Sequence, residues 1–163
     1  MKKKINIFFR QPFTEANEKQ QVLIQSVLNK TVNYNEKENE VCIVTGSKAQ
    51  NKTTFRSYFE KEYDLEFTPS NFRKIRLNLL SNADLFIVLR TAMSESSSFE
   101  IAYNIFKGKN VPMLFLIDEH AAIKTTLIRE LNDIATVTYH TFESVNDASL
   151  KRVIHQFIKE NTH

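Results

Sequence analysis

The residues best suited to chemistry lie in one short stretch, Ser94-Glu95-Ser96-Ser97-Ser98-Phe99-Glu100-Ile101-Ala102, between an apolar run and a segment of helical periodicity. A helix N-terminus presents unpaired backbone N–H groups and the positive end of its dipole. Hydroxyls at Ser94, Ser96 and Ser98 would complete an anion-binding or sugar-binding site there. The spacing Ser97-x-x-Glu100 also writes a capping box, in which Ser97 Oγ accepts from the Glu100 N–H and the Glu100 carboxylate reaches back to the Ser97 N–H. The two readings part at Glu100. Gln completes a capping box as Glu does, whereas an amide is no nucleophile.

Two further short segments follow apolar runs, Arg10-Gln11-Pro12-Phe13 and Gly46-Ser47-Lys48. Arg10 and Gln11 are candidate ligand contacts, and Arg10 with Lys48 forms a periphery that attracts anions. Gly46 to Thr53 has the strand-loop-helix setting of a phosphate-binding loop, with Asn51 where the second Gly belongs, and Asp118-Glu119 ends an apolar run as a magnesium-holding strand would. That gives a minor reading, a degenerate P-loop nucleoside triphosphatase. His120, His140, His155 and His163 have no metal-ligand spacing, so no metal is expected, and no cofactor. The single cysteine, Cys42, lies in an apolar run and is expected in the core; it allows neither a disulfide framework nor a thiolate cluster. Two glycines in 163 residues exclude the Gly-rich dinucleotide fingerprint.

The elements that must position these residues are short apolar runs alternating with helical segments, the pattern of an α/β fold. Strands are expected at Ile5 to Phe9, Val41 to Thr45, Leu85 to Leu89, Met113 to Ile117 and Ile134 to Tyr139. Helices are expected at Glu15 to Asn29, Asn71 to Asn82, Ser98 to Lys107, Ala122 to Asn132 and Ser144 to Glu160, with a weaker one near Thr54 to Glu62. The expected fold is one domain over residues 1–163: a three-layer, doubly wound, five-stranded parallel sheet of Rossmann or flavodoxin-like type, order 2-1-3-4-5. Ligands collect outside the carboxyl ends of such strands where the order reverses, here over strands one to three. The net charge of +3 is carried by dispersed basic residues, which does not indicate nucleic acid. No apolar run approaches the roughly 18 residues that span a bilayer, so no membrane role and a cytoplasmic location are expected.

Ala83-Asp84-Leu-Phe-Ile-Val-Leu89, the serine stretch, Phe99-Glu100-Ile-Ala-Tyr103 and Lys107-Gly108-Lys109-Asn-Val-Pro112 together resemble the nucleoside 2-deoxyribosyltransferase family and its nucleotide N-glycosidase relatives. The resemblance implies a small-molecule nucleoside or nucleotide ligand and a homodimer. It puts the nucleophile on Glu100, through a covalent glycosyl-glutamate, with Ser94 and Ser96 on the sugar or its 5'-phosphate, and it counts Asp84 of the "AD" strand among the substrate contacts. The family's second carboxylate falls in Phe72-Arg-Lys-Ile-Arg-Leu-Asn78, which holds no acid. Arg73, Lys74 and Arg76 read there as a solvated helix face or as a sign of an anionic ligand. The alternatives are a TIR-like NAD glycohydrolase, also acting through Glu100, and an inactive nucleotide-binding or interaction module in which Glu100 only caps its helix.

Overall fold

The computed structural model describes residues 3–11, 16–34, 39–45, 52–144 and 146–162, with no side chains described at 52–54. Lys48 and the rest of the loop-like segment 46–51 lie outside the described residues, as do Pro12 and Phe13. In chain order the elements are β1 (Lys3–Arg10), α1 (Glu18–Val32), β2 (Asn39–Ile43), α2 (Lys52–Tyr63), α3 (Pro69–Ser81), β3 (Leu85–Arg90), α4 (Glu95–Phe106), β4 (Met113–Asp118), β5 (Val137–Phe142) and α5 (Ala148–Asn161). The five strands pair in parallel in the order β2-β1-β3-β4-β5, as expected.

The central strands are apolar runs because both of their faces are covered. Alternate residues serve opposite layers. Ile7, Phe9, Ile87 and Leu89 pack with Leu23 and Val27 of α1 and Ile154 and Phe157 of α5. Phe8, Phe86, Val88 and Phe115 pack with Leu80 of α3 and Ile101 of α4. By this period of two, Arg10 continues the Phe8 row toward α3 and α4, and Gln11 continues the Phe9 row toward α1. Cys42, expected in the core, is only half-buried, because β2 is an edge strand.

The α2–α3 pair is held by rings. Phe55, Phe59, Tyr63, Phe67 and Phe72 contact one another with centroids between 5.1 and 6.0 Å apart. Thr68 caps α3 by accepting from Asn71 N, and Pro69 opens its first turn, where a missing N–H costs nothing.

Several element bounds shift by three or four residues, as at the starts of α1 and α5, and two differences have a visible cause. The helix over Ala122 to Asn132 is replaced by 3-10 turns at Thr126–Ile128 and Leu131–Asp133, with a left-handed Glu130 between them. Side chains there compete for the backbone: Arg129 Nε donates to the Ile123 carbonyl, and Tyr139 Oη donates to the Ile128 carbonyl while accepting from Leu131 N. The last strand lies three residues later than expected, because Ile134 turns back onto Leu131 before β5 begins. Among the described residues no helix is long and apolar enough to cross a membrane.

Candidate active site

The serine stretch follows β3, and α4 starts earlier than its capping-box spacing suggests. Ser94 has extended backbone and its Oγ accepts from Ser97 N at 3.3 Å, so Ser94 caps the helix. Ser97 and Glu100 therefore lie inside α4. With Ile101 and Asn104 they form its buried stripe, at the i, i+3, i+4, i+7 spacing of a helix face packed on a sheet. Glu100 does not cap α4: its carboxylate turns inward, where two arginines meet it.

Arg76 of α3 donates from Nε to Glu100 Oε1 at 2.9 Å, and its Nη2 stands 2.8 Å from the same oxygen, an ion pair rather than an aligned hydrogen bond. Arg10, the last residue of β1, places Nε 3.5 Å from Glu100 Oε2. The Arg10 N–H groups point elsewhere: Nε donates to Ser97 Oγ at 3.1 Å and Nη2 to Ser94 Oγ at 3.2 Å. Glu100 Oε2 is buried and has no hydrogen-bond partner. The side chains of Arg10, Arg76 and Glu100 are only 16%, 13% and 6% exposed, so all three charges are largely out of water. Burial pulls the Arg10 guanidinium below its usual range, Glu100 pulls it back and Arg76 adds to the fall. It stays protonated at any physiological pH. Two cations and one anion leave an excess positive charge in a site of low dielectric, which favours a further anion.

The hydroxyls have been given a direction. Ser94 Oγ accepts from both Arg10 and Ser97 N, and Ser97 Oγ accepts from Arg10, so each keeps its own proton to donate. Beside them α3 and α4 enclose a cleft of about 390 Å³. Its walls include Phe72, Arg73 and Arg76 from α3 and Glu95, Phe99 and Glu100 from α4. That volume is in the range that takes a nucleoside-sized ligand. Both helices run antiparallel to the strands, so both N-termini and their N–H groups face the carboxyl end of the sheet, where β1 and β3 lie on either side of the order reversal.

The other candidates fall in several places. Ser96 lines the cleft. Ser98 is exposed and its hydroxyl donates to the Ser94 carbonyl at 3.4 Å, beside the group but not joined to it. Gln11 is buried on the α1 side of β1, with its Oε1 lacking a hydrogen-bond partner. Asp84 is not brought to the site. At the start of β3, the opposite end of the sheet, its Oδ2 accepts from Asn6 N at 2.8 Å and its own N donates to the Asn6 carbonyl. Asp118 Oδ1 accepts from His120 N and so caps a 3-10 turn. Glu95 and the two phenylalanines were not among the expected site residues, while Ser97 was expected only as a cap and Arg76 only as part of a solvated helix face or as the sign of an anionic ligand. Arg76 left a signal: Phe72, Ile75, Leu79 and Leu80 form an apolar stripe along α3, and Arg76 occupies its i+4 place.

Neither a protein-family model nor a curated protein sequence matches the chain. Among solved structures, the fold is similar to that of BcmB, a CMP N-glycosidase of Clostridium botulinum, with TM-score 0.59 and 18% identity, covering 91% of this chain and 96% of that one. It is similar also to the solution structure of BlsM, with TM-score 0.59 and 15% identity, covering 95% of this chain and 92% of that one. At such identities the likeness is one of fold.

Proposed function

We propose that the chain binds a nucleoside or nucleotide in the α3–α4 cleft and cleaves or transfers its N-glycosidic bond, with Glu100 as the nucleophile. The observation that carries this reading is Glu100 itself: a buried carboxylate lining the cleft, one oxygen held by Arg76 and the other without a hydrogen bond. In the first step Oε2 bonds to the anomeric carbon as the bond from that carbon to the base nitrogen breaks, and the electron pair leaves with the base. Water supplies the proton that the departing base takes up. In the second step a water oxygen attacks the same carbon, the ester to Glu100 breaks, the carboxylate is restored and a proton is released. Transfer differs only in that a second base replaces that water.

A 5'-phosphate would lie toward the helix N-termini, where Ser96 lines the wall and where Ser94, Ser97 and Arg10, outside the cleft lining, would supply donors and charge. The fold shared with a CMP N-glycosidase supports cytidine 5'-monophosphate as the first substrate to test. As the resemblance implies, the acting species in this proposal is a homodimer, which sedimentation would check. Free base is assayed from a panel of nucleosides, their 5'-monophosphates and NAD, for the wild type, Glu100→Gln and Glu100→Asp, with folding monitored by circular dichroism. A 2-fluoro sugar analogue of the cleaved substrate should add its glycosyl mass to the peptide bearing Glu100. Silence across the panel, or a folded Glu100→Gln as active as wild type, rejects the reading.

A binding module without chemistry is the second reading. It is favoured by α3 offering Arg73 and Arg76, and no acid, to the cleft. Nucleotide binding without base release in the same panel would select it.

A further inference from the structure

We propose that Arg76 is a positioning residue: it fixes one oxygen of Glu100 and thereby sets the direction of the other, the oxygen left without a hydrogen bond. The inference rests on the nucleophile reading above, and it assigns the buried cation of α3 a part in turnover.

Arg76 is itself held. Its side chain comes from the apolar stripe of α3, and its guanidinium carbon lies 4.4 Å from the centroid of the Phe8 ring. Phe8 is wholly buried and meets Phe86 edge-on at 5.1 Å. A cation over an aromatic face, anchored in a close-packed core, has little freedom to swing. From that fixed position the planar fork puts both Nε and Nη2 on Oε1, at 2.9 and 2.8 Å. One hydrogen bond from Nε and an ion-pair contact from Nη2, both on the same oxygen, oppose rotation of the carboxylate, so the direction of Oε2 is set by Arg76.

Arg10 does not do this work. Its Nε and Nη2 donate to Ser97 and Ser94, and its 3.5 Å approach to Oε2 leaves that oxygen without a hydrogen bond. The two arginines thus divide the site: Arg10 orients the hydroxyls, and Arg76 orients the carboxylate. Attack at an anomeric carbon needs the reacting atoms about 3–3.5 Å apart and aligned, and a misplacement of about 1 Å costs on the order of a hundredfold in rate. Lysine would keep the charge of Arg76 but offers a point contact instead of a fork.

The test uses Arg76→Lys and Arg76→Ala in the full chain, with the substrate that the wild type cleaves best. Expected for Arg76→Lys is a folded protein with KM close to wild type and kcat lower by about a hundredfold. Expected for Arg76→Ala is a larger loss, partly restored by guanidinium chloride and not by sodium chloride at equal ionic strength. Arg76→Lys decides the matter if the alanine variant does not fold. Wild-type kcat in Arg76→Lys makes Arg76 a counter-ion only and overturns the inference. So does a raised KM at unchanged kcat, which would make Arg76 an anchor for the ligand's anion. A folded Arg76→Ala that guanidinium fails to rescue overturns it as well. If the wild type releases no base from any substrate, the functional reading falls and takes this inference with it.

Discussion

Replacing Glu100 by Gln removes an anion from between Arg10 and Arg76 and leaves two guanidiniums buried with no counter-charge. Removing one partner of a buried ion pair costs about 3–5 kcal/mol, less whatever the amide oxygen retains of the Arg76 bond. Glu100→Gln should therefore lower the urea midpoint clearly without changing the slope of the transition, whereas a capping glutamate would tolerate Gln with little loss. Equal stability of the two proteins would reject the buried ion-pair cluster. Ser97→Ala tests the neighbouring contact: Arg10 Nε, freed from Ser97, should turn to Glu100 Oε2 only 3.5 Å away, giving that oxygen a hydrogen bond and slowing base release. An unchanged kcat in Ser97→Ala would disconnect Arg10 from the chemistry. The serine stretch was legible as a helix start, since hydroxyls followed by a carboxylate after an apolar run suit a cap, but the spacing pointed to Ser97 where Ser94 is the cap. Arg76 was not, since a long side chain can cover apolar surface with its stem and reach water with its head, so its place in the α3 stripe did not reveal its direction. Asp84 shows the reverse: an acid beside a strand that caps backbone at the far end of the sheet.

Helix α2 and the start of α3 form a wall whose cohesion comes from rings. Phe59 is 2% exposed and touches Tyr63, Phe67 and Phe72, and Phe72 also lines the cleft. Phe59→Ala should cost about 3–5 kcal/mol of stability by thermal or urea unfolding, and it should raise KM more than it lowers kcat because the wall, not Glu100, is loosened. A variant with altered kcat and native KM would refute that division. The α2–α3 turn is held by Glu60, whose Oε1 accepts from Phe67 N at 3.1 Å and from Arg56 Nε at 3.0 Å. The Phe67 hydrogen bond first, then the Arg56 bond, lowers the Glu60 carboxyl below its ordinary 4.5. A depressed carboxyl contributes stability above its unfolded value and loses it as pH falls through the folded value. The hydrogen-exchange protection factor of the Phe67 amide should accordingly drop as pH falls from 4.5 downward, and in Glu60→Gln that pH dependence should vanish. Strands β3 and β4 could be read from apolar runs alone. Residues 122–132 could not, because their helical pattern of apolar residues gives no hint that Arg129 and Tyr139 will take the carbonyls a helix would use.

At the scale of the whole molecule, the order β2-β1-β3-β4-β5 puts the two central crossovers on opposite layers, and the site follows from that topology. The order reversal next to β1 was foreseeable from the alternation of runs and the rule for parallel sheets, so the end of the sheet where the cleft and the charge cluster lie was legible even where their residues were not. The apolar faces of α1 and α5 fill one layer, while the other divides its contacts between core and cleft. The cluster of Arg10, Arg76 and Glu100 joins β1, α3 and α4, and it carries an excess positive charge that the unliganded fold must accommodate out of water. An anion bound there offsets that cost, so ligand affinity and global stability should be coupled. At a hundredfold excess over its Kd, a ligand that binds only the folded state adds about 2.7 kcal/mol. A nucleoside 5'-monophosphate should therefore raise Tm in a concentration-dependent way and by more than its parent nucleoside. Added salt should shrink the difference only modestly, because buried pairs are poorly screened. Arg10→Met should abolish the phosphate-dependent part of the shift while leaving the nucleoside part in place. Equal shifts for nucleotide and nucleoside in the wild type would mean that the phosphate lies outside this charge cluster and that its excess charge is met by solvent.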